Sequence, residues 1–295
     1  MNTLIEKITE AFLKIFSAPV KMMLEPVFGE SQLESIVKFL KLAGGKQSGD
    51  FQTEQFFKMI NTIFDLLKPI GFALITTFFI IHMIDVISKD ALTLDAFIKS
   101  LIALIIVISL AANSGEIMSA IFNIGEVSIT TIFDGITTGK KGGNGVTSEN
   151  ISDAAEMLTA NYGLGALVMA IFLWLFHQIV VIGIDVAAFS RIIDIGWRAA
   201  CMPIGIANSF EGGTNSSGIR YMKSFFAAVF SGALMLIICA VGFSLATSLL
   251  KTQLSLFDNI TNKGFWTLLV EVIAVQLATM GAAISAPAKA KELFS

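Results

Sequence analysis

Arg191, Asp194 and Arg198 recur at i, i+3 and i+7, a spacing that aligns one charged stripe along a helix. With Arg220 they include all three arginines of the chain. Ile192, Ile193 and Trp197 give the same helix an apolar side. Pro203 removes a backbone donor and is expected to break or kink that helix. Gly205, Gly212, Gly213 and Gly218 punctuate the turn that follows. The chemistry open to such a stretch is ion pairing at a membrane edge. It would pin two spans together and face partner proteins, with Asp185, Arg191, Asp194, Arg198, Pro203, Gly205 and Arg220 as the candidate docking and structural residues.

The remaining ionisable groups are scattered. His82 and Asp85 share a helix face at i, i+3. They read as a proton or ion site, or as a polar pair hydrogen-bonded to a neighbouring helix, and the second reading outweighs the first. His177 stands alone and reads as a satisfied interior histidine. Asp185 and Glu271 fall within apolar runs, where a carboxylate must be protonated, paired or wet. Arg191 and Arg198 are the nearest basic candidates for Asp185, although Asp185 and Arg191 do not share a face. Cys201 and Cys239 stand far apart, no Cys/His metal spacing exists, and no disulfide is expected. KKGG at 140–143 lacks the phosphate-loop spacing, and G-x-S-x-G and HExxH are missing. An enzyme, a resident metal and a cofactor are therefore not expected.

The elements that must position these residues belong to a membrane protein. Hydrophobic residues make up 55% of the chain and charged ones 15%. A soluble domain carries about 25% charged residues. The pattern predicts an all-α polytopic fold of about five transmembrane helices preceded by amphipathic helices. Residues 1–68 form the amphipathic region. Its first helix, closed by Pro26 and Gly29, lies on a membrane surface or packs on its own domain, with equal weight. A short helix at 31–42, a polar linker at 46–50 and a third amphipathic helix running into Pro69 follow. Residues 69–112 hold two spans, about 69–87 and 96–112. Residues 113–161 read as a long acidic, glycine-rich loop whose 116–134 portion is semi-apolar and suited to a re-entrant or surface helix. Residues 162–287 hold three spans, about 162–189, 224–250 and 265–287, around the arginine-bearing segment 190–223. Residues 288–295 form a tail. Ala228 and Gly232, like Gly242 and Ala246, sit four apart, as helices that pack closely in lipid require.

An outside N-terminus and an inside C-terminus place Lys89, Arg191, Arg198, Arg220, Lys289 and Lys291 in the cytoplasm, as the positive-inside tendency favours. The eight lysines of residues 1–68, balanced by eight acidic residues, then cross to the other side.

The stretch from Arg191 to Val229 resembles the signature region of TrbL-type polytopic subunits of type IV secretion and conjugation systems, in the versions carried by Gram-positive integrative and conjugative elements. Arg191, Asp194, Arg198, Ala200, Pro203, Ile204, Ala207, Ser217, Gly218, Ile219, Arg220, Tyr221 and Lys223 carry the likeness, which extends over about residues 160–285. The resemblance implies a multi-pass protein of the cytoplasmic membrane, part of a translocation channel and free of catalysis. Its implied partners are other channel subunits, the system's ATPases, further copies of itself, lipid and, transiently, the transferred DNA–protein substrate. Residues 113–161 hold six carboxylates against two lysines, which argues against tight phosphate binding there. A secondary transporter or ion channel is the main rival reading, followed by a scaffold without a conduction path; a membrane-embedded protease or lipid transferase ranks last.

Overall fold

The computed structural model describes residues 2–28, 34, 36, 37, 40, 51–88, 93–140, 148–207, 209, 216–255 and 262–294. Among them the chain is all-α, without strands. The helices are α1 (Asn2–Phe28), α2 (Phe51–Ser88), α3 (Leu94–Ala112), α4 (Ser114–Lys140), α5 (Ser148–Tyr162), α6 (Leu164–Ala200), α7 (Met202–Ala207), α8 (Ser217–Ser255), α9 (Asn262–Ile284) and α10 (Ala286–Phe294). The expected helix at 31–42, the linker at 46–50, the glycine-rich 141–147 and Gly212–Gly213 lie mostly or wholly outside the described residues.

Local chemistry sets the helix ends. Thr93 caps α3 by accepting the Ala96 N–H on its hydroxyl oxygen at 3.2 Å, which satisfies one orphan donor of the first turn. Gly163, at φ 54°, takes the left-handed conformation that ends α5 and lets α6 begin one residue later. Cys201 forms the turn that ends α6, and Pro203 sits in the first turn of α7, where a missing N–H costs nothing. The break expected at Pro203 is therefore present. Pro69 behaves differently: α2 runs through it as one helix, so the third amphipathic segment and the first span are a single element and the boundary placed at 68/69 falls inside it. Likewise α1 continues through Pro19 and Pro26 to Phe28.

The chain divides into two compact units. The first comprises residues 1–39, 130–188 and 234–285. Here Val20, Leu24, Val27 and Phe28 of α1 meet Ile151, Ala155 and Leu158 of α5 in a core that also takes Ala170 and Leu173 of α6 and Leu269 and Val272 of α9. The described half of α1 thus follows the own-domain alternative, using its apolar stripe against α5. The second unit comprises residues 40–129, 189–233 and 286–295. Its core brings together Ile60 and Phe64 of α2, Met118 and Phe122 of α4, Ile195 and Ala199 of α6, Met202 and Ile206 of α7, and Phe225 and Val229 of α8.

Residues 113–161, expected as a long loop whose 116–134 portion suits a re-entrant or surface helix, are helical beyond that portion as well. Residues 114–140 and 148–162 are helical. Ile75 of α2 shares a cluster with Val107 and Ala111 of α3. Farther toward the start of α2, Phe64 lies beside Gly115, and Phe57 packs edge-on against Phe122 at 5.3 Å. As α2 is followed backwards, α3 and then α4 are met in chain order. The interruption at Asn113 is therefore a break in a rod, with no reversal of direction. Asn113 closes α3 through its backbone N–H and side-chain amide, both donating to the Ser109 carbonyl. The Ser114 hydroxyl donates to the Ala111 carbonyl at 2.7 Å.

Five helices are long and apolar enough to cross a bilayer: Gln55–Ser88, Leu94–Ala112, Ser114–Thr137, Leu164–Ala200 and Ser217–Leu249. Leu269–Ile284 and Ala286–Phe294 add a sixth when taken together, bent by 47°. The span expected at 265–287 is thus broken at Ser285, and Ser114–Thr137, expected to hold a re-entrant or surface helix, qualifies as a span by length and composition. The protein is a multi-pass, helical membrane protein. The hairpin of α2 and α3 presents Ile80, Ile84, Ile98, Ile102, Ile105 and Ile106 outward. Bulky branched side chains suit lipid contact, whereas close helix pairing favours small ones.

Candidate functional site

The arginine-bearing helix splits the stripe that its spacing suggested. On α6 the buried positions of the second unit are 191, 192, 195, 196, 199 and 200. Arg191 lies four residues before Ile195 and so turns into the core, at 3% exposure. Its Nε donates to Ser231 Oγ at 3.1 Å and to the Ala228 carbonyl at 3.3 Å, and its Nη2 donates to the Val229 carbonyl at 2.7 Å. Nη1 is buried without a hydrogen-bond partner among the described residues. The guanidinium is thus braced against the backbone of α8 by carbonyls and one hydroxyl. This proximity depends on Gly232, since a Cβ there would lie 2.6 Å from Nη1 and closer still to Cζ. Arg191 is therefore a brace inside its own unit, not part of an outward docking stripe.

Asp194 and Arg198 remain partly exposed and form a compact polar knot. Arg198 Nε meets Asp194 Oδ1 at 2.9 Å, Trp197 Nε1 donates to the same oxygen at 2.9 Å, and Arg198 Nη1 donates to Ser224 Oγ on α8 at 2.5 Å. The Arg198 guanidinium carbon stands 5.0 Å from the Trp197 ring centroid, within cation–π range. The Tyr221 hydroxyl donates to the Arg198 carbonyl at 2.6 Å. That carbonyl belongs to the last turn of α6, which lacks helical donors, so Tyr221 supplies what the helix end needs. Gly205 leaves room for the Tyr221 ring, and Gly71 leaves room for the Pro203 carbonyl, which would stand 2.8 Å from an added Cβ. Pro203 and Gly205 thus seat α7 between α2 and the start of α8. Arg220 is exposed.

The intramembrane candidates do not converge. In the second unit, His82 Nε2 lies 3.3 Å from Ser100 Oγ on α3. The Ser100 hydroxyl also reaches the Ala96 carbonyl on its own helix at 3.0 Å. Asp85 is half-buried one turn on. In the first unit, Asp185 and Glu271 are half-buried and His177 is 2% exposed. Arg191 and Arg198 are committed to α8 and Asp194, so neither serves Asp185. His177 is buried, as expected of an interior histidine, and its Nδ1 has no hydrogen-bond partner among the described residues. Among the described residues no group of three His, Cys, Asp or Glu side chains converges as metal ligands do.

Several residues escaped the sequence reading. Ala228 and Gly232 read only as a helix-packing pair, because spacing does not say that a guanidinium approaches the glycine. Ser224 and Ser231 gave no signal, since a serine in an apolar helix commonly bonds its own backbone. Gln276 was passed over because it carries no charge, yet it is 1% exposed and both amide atoms lack partners among the described residues.

Comparison with known proteins adds one finding. No curated protein and no solved structure matches the chain. A family model described as TrbL/VirB6 plasmid conjugal transfer like protein matches residues 45–203, more than half of the chain. The match begins within the amphipathic N-terminal region and ends at Pro203, so it shares only 160–203 with the stretch that carried the resemblance; it takes in α2 to α6, with both arginine sites of α6. The chain belongs to the TrbL/VirB6 family of conjugal transfer proteins.

Proposed function

We propose that the protein is a non-enzymatic, oligomeric channel or scaffold component of a conjugative type IV secretion machine in the cytoplasmic membrane. The observation that carries this reading is the family match, which lies on helices apolar enough to cross a bilayer. Its partners are other membrane subunits of the machine and the ATPases that drive it, with transient contact to the DNA–protein substrate. The acidic balance of residues 113–161 suits a wall that lets a polyanion pass without holding it. The N-terminus lies outside and the C-terminus inside. The knot of Asp194, Trp197 and Arg198 is the docking candidate, because its polar groups are partly exposed while Arg191 is not.

Deleting the gene in donor cells is expected to abolish DNA transfer while growth continues, with transfer restored by a plasmid-borne copy. Undiminished transfer from the deletion strain overturns the proposal. The broken pair α9–α10 favours one rival, a secondary transporter or ion channel, since such proteins use discontinuous helices. Substrate-dependent flux through the purified protein in liposomes would support that rival.

A further inference from the structure

Along the part of α6 that belongs to the first unit, the outward side of the helix keeps a strict spacing. Val168, Ile171, Leu175, Gln178, Ile182 and Asp185 follow one another at alternating steps of three and four residues. Such a repeat draws one seam along a helix, and it is the repeat by which parallel helices interlock. The opposite side, with Ala170, Leu173 and Ile184, is buried in the unit. On the seam, Val168, Ile171, Leu175 and Ile182 are exposed, while Gln178 and Asp185 are half-buried. Neither Gln178 nor Asp185 has a hydrogen bond or an ion pair among the described residues. The helix that carries them is long and apolar enough to cross a bilayer. An aliphatic seam by itself suits lipid. An amide and a carboxyl set two turns apart within it do not, because each is costly in hydrocarbon until it meets a partner.

We propose that this seam is the surface on which a second copy of the chain docks, its α6 running parallel and related by rotation about an axis normal to the membrane. Such an axis sets identical residues of the two copies at the same depth. Gln178 then faces the Gln178 of the second copy, and each amide offers the other both a donor and an acceptor. The two Asp185 carboxyls satisfy each other in the same way when one is protonated and donates to its neighbour. The aliphatic positions fill the layers between them. A foreign helix would have to bring two matched polar groups at the right spacing, whereas a second copy brings both by symmetry. Polar groups facing each other across helices are a recognised adhesive in lipid, and they also fix register. The proposal rests on the oligomeric part of the proposed function and names the surface that would carry it.

The test uses the full-length protein, with Cys201 and Cys239 replaced, reconstituted in lipid vesicles. On mild oxidation, Ile182→Cys should cross-link two copies about tenfold more efficiently than Phe172→Cys, since a disulfide forms only between closely facing positions. Phe172 is exposed too, but it lies about 100° around the helix from Ile171. Energy transfer between labelled copies diluted in the same lipid should then report the polar pair. Gln178→Leu combined with Asp185→Leu should weaken association by about tenfold or more. Asp185→Asn keeps a self-complementary side chain and should retain it. Equal cross-linking at the two positions, or none at Ile182, overturns the proposal. Undiminished association of the leucine variant overturns it as well, as does loss of association in Asp185→Asn. The cysteine comparison decides the matter even if the leucine variant fails to fold. None of these readouts involves DNA transfer, so their failure is distinct from failure of the secretory reading.

Discussion

Gly232→Ala is the sharpest probe of the arginine brace. In most helices this change is mildly favourable, by up to about 1 kcal/mol, because glycine is the more flexible residue. At this site the added methyl meets the Arg191 guanidinium, which cannot retreat without leaving Val229, Ala228 and Ser231. Hydrogen bonds to a charged group contribute about 1.5–3 kcal/mol each. Nε divides its donation between two acceptors, so roughly two such bonds are at stake. After the helix-propensity gain is subtracted, the expected net loss is about 2–5 kcal/mol. In detergent this corresponds to a fall in thermal midpoint on the order of 5–15 °C. Two controls isolate the cause. Gly281→Ala, where an added Cβ meets nothing within 4 Å, should leave the midpoint unchanged or slightly raised. Arg191→Met removes the guanidinium and should absorb most of the Gly232→Ala loss, giving a coupling of about 1.5 kcal/mol or more in a double-mutant cycle. Equal melting of Gly232→Ala and the parent refutes the reasoning, as does a loss that persists in the Arg191→Met background.

Two further outcomes are expected. Arg198→Glu places two carboxylates one turn apart and removes the donation to Ser224, so it should reduce recovery of the protein with its partner subunits more than it reduces the amount in the membrane; Asp194→Arg in the same chain should restore part of the recovery. The pair is partly exposed, so its own stability contribution is at most about 1 kcal/mol, and an equal drop in insertion and co-purification would count against a docking role. A rod of α3 and α4 that crosses the bilayer once, through α3, is expected to leave residues 113 and 135 on one side of the membrane. Single cysteines at Asn113 and Gly135, with Cys201 and Cys239 replaced, should react with an impermeant thiol reagent from the same side, the outside. Labelling from opposite sides would show that α4 crosses on its own.

Composition and periodicity alone determined the class of this protein: an all-α chain bathed in lipid follows from runs of Ile, Leu, Phe and Val longer than a bilayer is thick. The break at Pro203 was legible as well, because a missing N–H acts locally whatever surrounds it. Family membership was readable from Arg191, Asp194, Arg198 and Pro203, although the match extends toward the N-terminus and not into the second half of the resembling stretch. Which way each polar side chain turns was decided only in three dimensions. Arg191 and Arg198 share a helix and a spacing rule, yet one braces α8 from within while the other stays at the surface, because burial depends on which neighbour lies across and whether it has a glycine to offer. The in-line break at Asn113 was hidden for a similar reason: a cap residue ends a helix without saying where the next one points. Tyr221 and Ser231 gained their roles from a helix elsewhere in the chain, and no local pattern can report a partner twenty or forty residues distant.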